Sequence, residues 1–116
     1  MPDSKKHIHL VDDDRVICHS LSQILHKHGF EVEVFGSAEE YLEVLDEAYE
    51  GYLLLDHKMT GITGLELQEI LLKKNMHAKI IFITAMGDMI EKQALANGAI
   101  KVFEKPFDLS ELIEIL

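Results

Sequence analysis

Five apolar runs of strand length alternate along the chain with stretches whose apolar positions recur at helical spacing. The runs are His7 to Val11, Glu31 to Phe35, Tyr52 to Leu55, Lys79 to Thr84 and Ile100 to Glu104. Each is followed by a turn signal, in order Asp12-Asp13-Asp14, Gly36-Ser37, Gly61, Gly87-Asp88 and Lys105-Pro106. Between the runs, Ile17, Leu21, Ile24 and Leu25 form one helical stripe, Tyr41, Leu42 and Leu45 a second, and Leu109, Leu112, Ile113 and Leu116 the last. Ser37 and Asp108 stand where N-caps belong, Ser37 with Glu40 in the capping-box position. A fourth helix, predicted over Asp88 to Asn97, has the thinnest stripe: Ile90 and Ala94, with Leu95 and Ala96 as neighbours. It is expected to be the most loosely held.

Such alternation predicts an α/β chain, (βα)5, with a parallel five-stranded sheet covered by helices on both faces. The Tyr52 and Ile80 runs are continuously apolar, as strands buried on both faces are. Glu-Val-Glu-Val and Ile-Lys-Val-Phe-Glu carry charges that only a sheet edge tolerates, so strands two and five are predicted to be the edges. That agrees with the doubly wound, flavodoxin-like order 2-1-3-4-5, in which ligands bind beyond the carboxyl ends of strands one and three.

Composition narrows the classes of function. A chain of 116 residues is expected to form one domain over 1–116. It holds no apolar run of about 18 residues and no secretory leader pattern, so no membrane segment is predicted and the default location is cytoplasmic. A net charge of −10 with Arg15 as the sole arginine argues against a nucleic-acid surface on this segment, because phosphate contacts need clustered cations. DNA binding would require another domain. Cys18 is the lone cysteine and reads as a small core filler. The seven histidines are spread over strands, a helix end and turns, and none forms a ligand set with another.

Candidate chemistry collects at one pole of the sheet. The first strand ends in Asp12-Asp13-Asp14, the third in Asp56, the fourth in Thr84 and the fifth in Lys105. Carboxylates crowded at one point must protonate, spread apart or hold a cation. Hard oxygen donors with an incomplete protein shell suit Mg²⁺ or Mn²⁺. The competing reading of the aspartate triplet is a solvated turn capping the helix that begins near Arg15. Asp56 is harder to dismiss, because a buried strand carries it to its place. A phosphoryl group would fit the set: a metal and a lysine neutralise its oxygens, a hydroxyl donates to it, and an aspartate acts as nucleophile. No Gly-rich phosphate loop is present, which argues against nucleotide binding.

Four segments then carry a resemblance that spans essentially the whole chain: His-Leu-Val-Asp-Asp-Asp, Leu-Leu-Leu-Asp-His-Lys-Met-Thr-Gly-Ile-Thr-Gly-Leu-Glu-Leu, Ile-Phe-Ile-Thr-Ala and Phe-Glu-Lys-Pro-Phe. In these the sequence resembles the receiver domains of two-component response regulators. The resemblance implies that Asp56 accepts a phosphoryl group from the phosphohistidine of a sensor histidine kinase or phosphotransfer protein. It implies that Asp13, Asp56 and the Lys58 carbonyl hold Mg²⁺ directly, Asp12 partly through water, while Thr84 and Lys105 contact the phosphoryl oxygens. It also implies a cis Lys105–Pro106 peptide, a signalling role rather than turnover of an external substrate, and a switch that draws Thr84 inward and repacks the fourth helix and fifth strand. Homodimerisation on phosphorylation would be one output.

The chain departs from the family pattern in three places. Thr60 stands where proline is usual after Met59. Lys58 and Met86, each two residues past a site residue, occupy positions that tune phosphate lifetime. Val102 stands where a switching Phe or Tyr is common, with Phe103 one step later on the opposite face. Two rival readings follow from the same fold. One is a phosphate-independent interaction module that dimerises through the helix-four and strand-five face, against which the joint presence of Asp12, Asp13, Asp56, Thr84 and Lys105 argues. The other is a small hydrolase or flavin carrier, disfavoured because Lys58 stands where a haloacid-type phosphatase needs Asp and the acidic first loop repels a flavin phosphate. The end at Leu116, within an amphipathic stretch, fits either a piece of a longer regulator or a minimal single-domain one.

Overall fold

A computed structural model describes residues 6–116. Strands β1 (His7–Val11), β2 (Glu31–Phe35), β3 (Tyr52–Leu55), β4 (Lys79–Thr84) and β5 (Lys101–Glu104) alternate with helices α1 (Arg15–Lys27), α2 (Ala38–Glu43), α3 (Gly64–Lys73), α4 (Gly87–Ala96) and α5 (Leu109–Ile115). All strand pairs are parallel and the order is β2-β1-β3-β4-β5, so the two charged strands are the edges. The predicted α/β architecture and strand order are those observed.

Side chains that alternate along the strands divide between two cores. On one face Val11, Leu53, Leu55, Ile80, Phe82 and Val102 pack with Ala38 and Tyr41 of α2, Leu67 and Leu71 of α3, and Ile90 and Ala94 of α4. On the other, Ile8, Leu10, Leu54, Ile81, Ile83 and Phe103 pack with Cys18, Leu21 and Leu25 of α1 and Leu112 of α5. Val102 and Phe103 therefore serve opposite faces, as their adjacency in a strand requires. No helix among the described residues is long and apolar enough to cross a membrane.

Three local differences from the sequence expectations have physical causes. Helix α2 ends at Glu43, so Leu45 packs against the core from the following turn rather than from a helical stripe. Ser37 caps α2 by accepting from Glu40 N at 3.0 Å, which is one half of a capping box. The complete box lies at α3, where Thr63 Oγ1 accepts from Glu66 N and Glu66 Oε1 accepts from Thr63 N. Strand β5 starts at Lys101; Ile100 keeps one sheet bond, to the Ile80 carbonyl at 2.8 Å, while 45 % of its surface stays exposed.

The sheet ladder continues one residue beyond three strand ends, and this aims the polar residues. Asp12 N donates to the Phe35 carbonyl (3.1 Å), Asp56 N to the Val11 carbonyl (3.1 Å) and Lys105 N to the Thr84 carbonyl (2.9 Å). Backbone hydrogen bonding to neighbouring strands thus determines where these side chains emerge.

Candidate acidic phosphoryl and metal site

At the carboxyl pole of β1, β3, β4 and β5 the structure brings together Asp12, Asp13, Asp56, Thr84 and Lys105. One carboxylate oxygen from each of Asp12, Asp13 and Asp56 lies within 4.8 Å of the others. Lys105 Nζ donates to Asp12 Oδ2 at 2.9 Å and to Asp56 Oδ2 at 3.5 Å. The Lys105–Pro106 peptide is cis. Asp12 and Asp56 are buried, Asp13 is exposed, and Thr84 is wholly buried with its Oγ1 accepting from Met86 N at 3.2 Å.

The aspartate triplet divides by role. Asp14 leaves the cluster and caps α1, its Oδ1 accepting from Val16 N (3.1 Å) and Ile17 N (3.2 Å). The capping reading thus holds for Asp14, while Asp12 and Asp13 turn to the pole. Asp12 Oδ1 accepts from Asp14 N at 3.0 Å, which ties the two halves of the turn together.

Electrostatics at the pole are unbalanced toward negative charge. Burial raises the Asp12 pKa, with the neighbouring Asp56 charge adding to it against the opposing hydrogen bonds from Asp14 N and Lys105. Burial by itself would lower the Lys105 pKa, but its hydrogen bond to Asp12 and the charges of Asp12 and Asp56 outweigh that and raise it. The ammonium is therefore held charged, and among the described residues Lys105 is the one cation bonded to this group of three carboxylates. Asp56 Oδ1 is buried without a hydrogen-bond partner among the described residues. A buried carboxylate oxygen left unsatisfied is costly, and a donor set of hard oxygens beside it fits a divalent ion such as Mg²⁺.

Several residues that support the pole escaped sequence reasoning. Gly64 is required by close approach: a Cβ there would lie 2.3 Å from the Asp56 carbonyl and 2.8 Å from His57 Cα. His57 accepts twice from the start of α3, at its carbonyl from Gly64 N (2.9 Å) and at Nδ1 from Leu65 N (3.3 Å). The Thr63-x-x-Glu66 spacing was a readable signal for this helix start; nothing in the sequence marks the glycine contact. Lys58 is exposed and Met86 half-buried, both beside the pole. His9 is half-buried away from it, stacked on Tyr49 at 3.7 Å between ring centroids and sharing a hydrogen bond with Tyr41.

Comparison with known proteins identifies the family. The family model for the response regulator receiver domain matches residues 8–116. Nodulation protein W of Bradyrhizobium diazoefficiens is 36 % identical over 112 residues, covering 96 % of this chain and 49 % of that protein. Response regulator protein TodT of Pseudomonas putida is 34 % identical over 114 residues, covering 97 % of this chain and 50 % of its own length. The chain thus spans about half the length of these curated relatives. The structure of response regulator TrrA from Thermotoga maritima in complex with Mg²⁺ and BeF superposes with a TM-score of 0.83 at 32 % identity, over 95 % of each chain. A five-stranded sheet in the order 2-1-3-4-5, with acidic residues gathered at its carboxyl pole and a family match over nearly all the chain, places this protein among the receiver domains of two-component response regulators.

Proposed function

We propose that this domain is a phosphoacceptor switch in which Asp56 takes a phosphoryl group from the phosphohistidine of a sensor histidine kinase or phosphotransfer protein. The observation that carries this is the buried Oδ1 of Asp56, unpartnered among the described residues, at a pole that also holds Asp12, Asp13, Thr84 and Lys105. A carboxylate oxygen of Asp56 attacks phosphorus, a P–O bond forms, and the P–N bond of the donor breaks with its electron pair leaving on imidazole. Asp12, Asp13, Asp56 and the Lys58 carbonyl would hold Mg²⁺ or Mn²⁺, which supplies charge neutralisation for the phosphoryl oxygens.

The chain's own groups do the rest. Lys105, kept protonated by its carboxylate neighbours, is within reach of both Asp12 and Asp56 and can follow charge onto the phosphoryl group. The Thr84 oxygen accepts from Met86 N, so its hydroxyl proton is free to donate to a phosphoryl oxygen. Movement of Thr84 would disturb the Met86 amide at the start of α4 and so reach the α4 and β5 face. That face exposes Met89, Leu95 and Ile100, a surface suited to output or to homodimerisation on phosphorylation. Lys58, Met86, Val102 and Phe103 are the positions proposed to tune phosphate lifetime and switching.

Intact mass after incubation with a small phosphodonor and Mg²⁺ tests this reading. The parent should gain one phosphoryl group and the Asp56→Asn variant none. Equal incorporation in both would place the phosphoryl group elsewhere and overturn the assignment of Asp56.

A further inference from the structure

The loop between β3 and α3 carries the Lys58 carbonyl, and it is held from two sides by carboxylates. Thr60 N donates to Asp13 Oδ2 at 3.3 Å, and Ile62 N donates to Glu39 Oε2 at 3.0 Å. Between these two bonds Gly61 has φ +86°, and a Cβ there would lie 2.2 Å from Glu39 Oε2. The left-handed backbone of this turn is one that glycine adopts without steric cost, and it carries the chain past the Glu39 carboxylate that holds the Ile62 amide. The rest of the loop is closed by the two bonds that His57 accepts from Gly64 N and Leu65 N.

Thr60 can make its bond because threonine has a backbone N–H and proline has none. Among the described residues the bond engages Asp13 Oδ2 alone, and a carboxylate oxygen that accepts one hydrogen bond keeps a second lone pair. It therefore orients the carboxylate without removing it as a donor to a cation.

We infer that Glu39 and the Thr60 N–H are positioning groups for the metal site. Together they set where the loop stands against Asp13, so that the Asp13 carboxylate and the Lys58 carbonyl are presented to one ion. Neither group touches the ion or the phosphoryl group. The inference rests on the proposal that the acidic pole takes a divalent cation, and it adds Glu39 of α2 and the residue-60 amide, on which that proposal does not depend.

Titration of unphosphorylated protein with Mn²⁺ alone, following free ion by electron paramagnetic resonance, separates the possibilities. Glu39→Ala and Thr60→Pro should each weaken Mn²⁺ binding about tenfold, the lower end of what outer hydrogen-bond partners of metal ligands contribute. Glu39→Gln retains an acceptor oxygen for Ile62 N, and Thr60→Ala retains the N–H, so both should stay within about twofold of the parent. Glu39 and Thr60 are exposed, so none of these variants removes core packing. Parent-like affinity in both Glu39→Ala and Thr60→Pro overturns the inference while leaving the metal site standing. A loss in Glu39→Gln equal to that in Glu39→Ala also overturns it, because the carboxylate would then act by its charge. A parent that binds no Mn²⁺ overturns the metal reading itself, and this inference with it.

Discussion

Cys18 lies on the buried side of α1, its Sγ 3.4 Å from the Asp12 carbonyl to which it donates. Burial pushes the thiol pKa up to about 11, and the charges of Asp12 and Asp14 push the same way. The folded state therefore binds this proton more tightly than the unfolded chain, whose thiol titrates at about 8.5. Its contribution to stability is present below that value and is lost as pH rises from there through the folded pKa. At about pH 8 iodoacetamide should label the native thiol far more slowly than the urea-unfolded one, since the thiolate is the nucleophile. Equal labelling rates, read by mass, would contradict the burial. The same scale explains what was readable in the aspartate triplet. Its composition was compatible with a cap and with an acidic cluster, but only the backbone path assigns Asp14 to the first and its two neighbours to the second.

Among the helices, α3 and α4 begin in opposite ways. Helix α3 carries its own capping box in Thr63 and Glu66. Helix α4 has Met86 at its N-cap and no side-chain cap of its own. Its first turn is instead served from the sheet, with Met86 N donating to Thr84 Oγ1 of β4 and Asp88 N to Glu104 Oε1 of β5 at 3.1 Å. Gly87 lies against the same side chain, and a Cβ there would approach Glu104 Oε1 to 2.6 Å unless that carboxylate shifted. Glu104→Ala should cost about 1 kcal/mol, as loss of an N-cap does. Amide exchange should quicken in the first turn of α4 and stay unchanged in α1 and α3. Uniform exchange across all helices would show that Glu104 does not hold α4. The thin stripe of Ile90 and Ala94 was legible, and both side chains are buried; the borrowed cap was not, because Glu104 lies 16 residues from the amide it serves.

At the scale of the molecule, two cores clamp one sheet and leave its carboxyl pole carrying the charge. An ion that binds only the folded chain stabilises it by mass action. At ten times its dissociation constant Mg²⁺ should add about 1.4 kcal/mol, or roughly 5 °C in Tm for a domain of this size. Asp13→Asn and Asp56→Asn should each lose most of that shift in a thermal melt. No shift in the parent at saturating Mg²⁺ would count against the acidic pole as a metal site.

Periodicity was enough for the α/β class and for the edges, because a strand buried on both faces cannot carry the charges of Glu31, Glu33, Lys101 and Glu104. Residue types at the strand ends likewise announced where polar side chains would gather, since Asp12, Asp56, Thr84 and Lys105 each follow or close an apolar run. What they do together depends on contacts between residues far apart in sequence: Lys105 to Asp12 across 93 positions, Thr60 to Asp13 across 47, Glu39 to Ile62 across 23. Patterns of hydrophobicity report how a segment meets a core, and they are blind to which backbone amide a distant carboxylate will reach. That pairing was decided by the parallel order of the strands, the left-handed turn at Gly61 and the close approach that Gly64 permits.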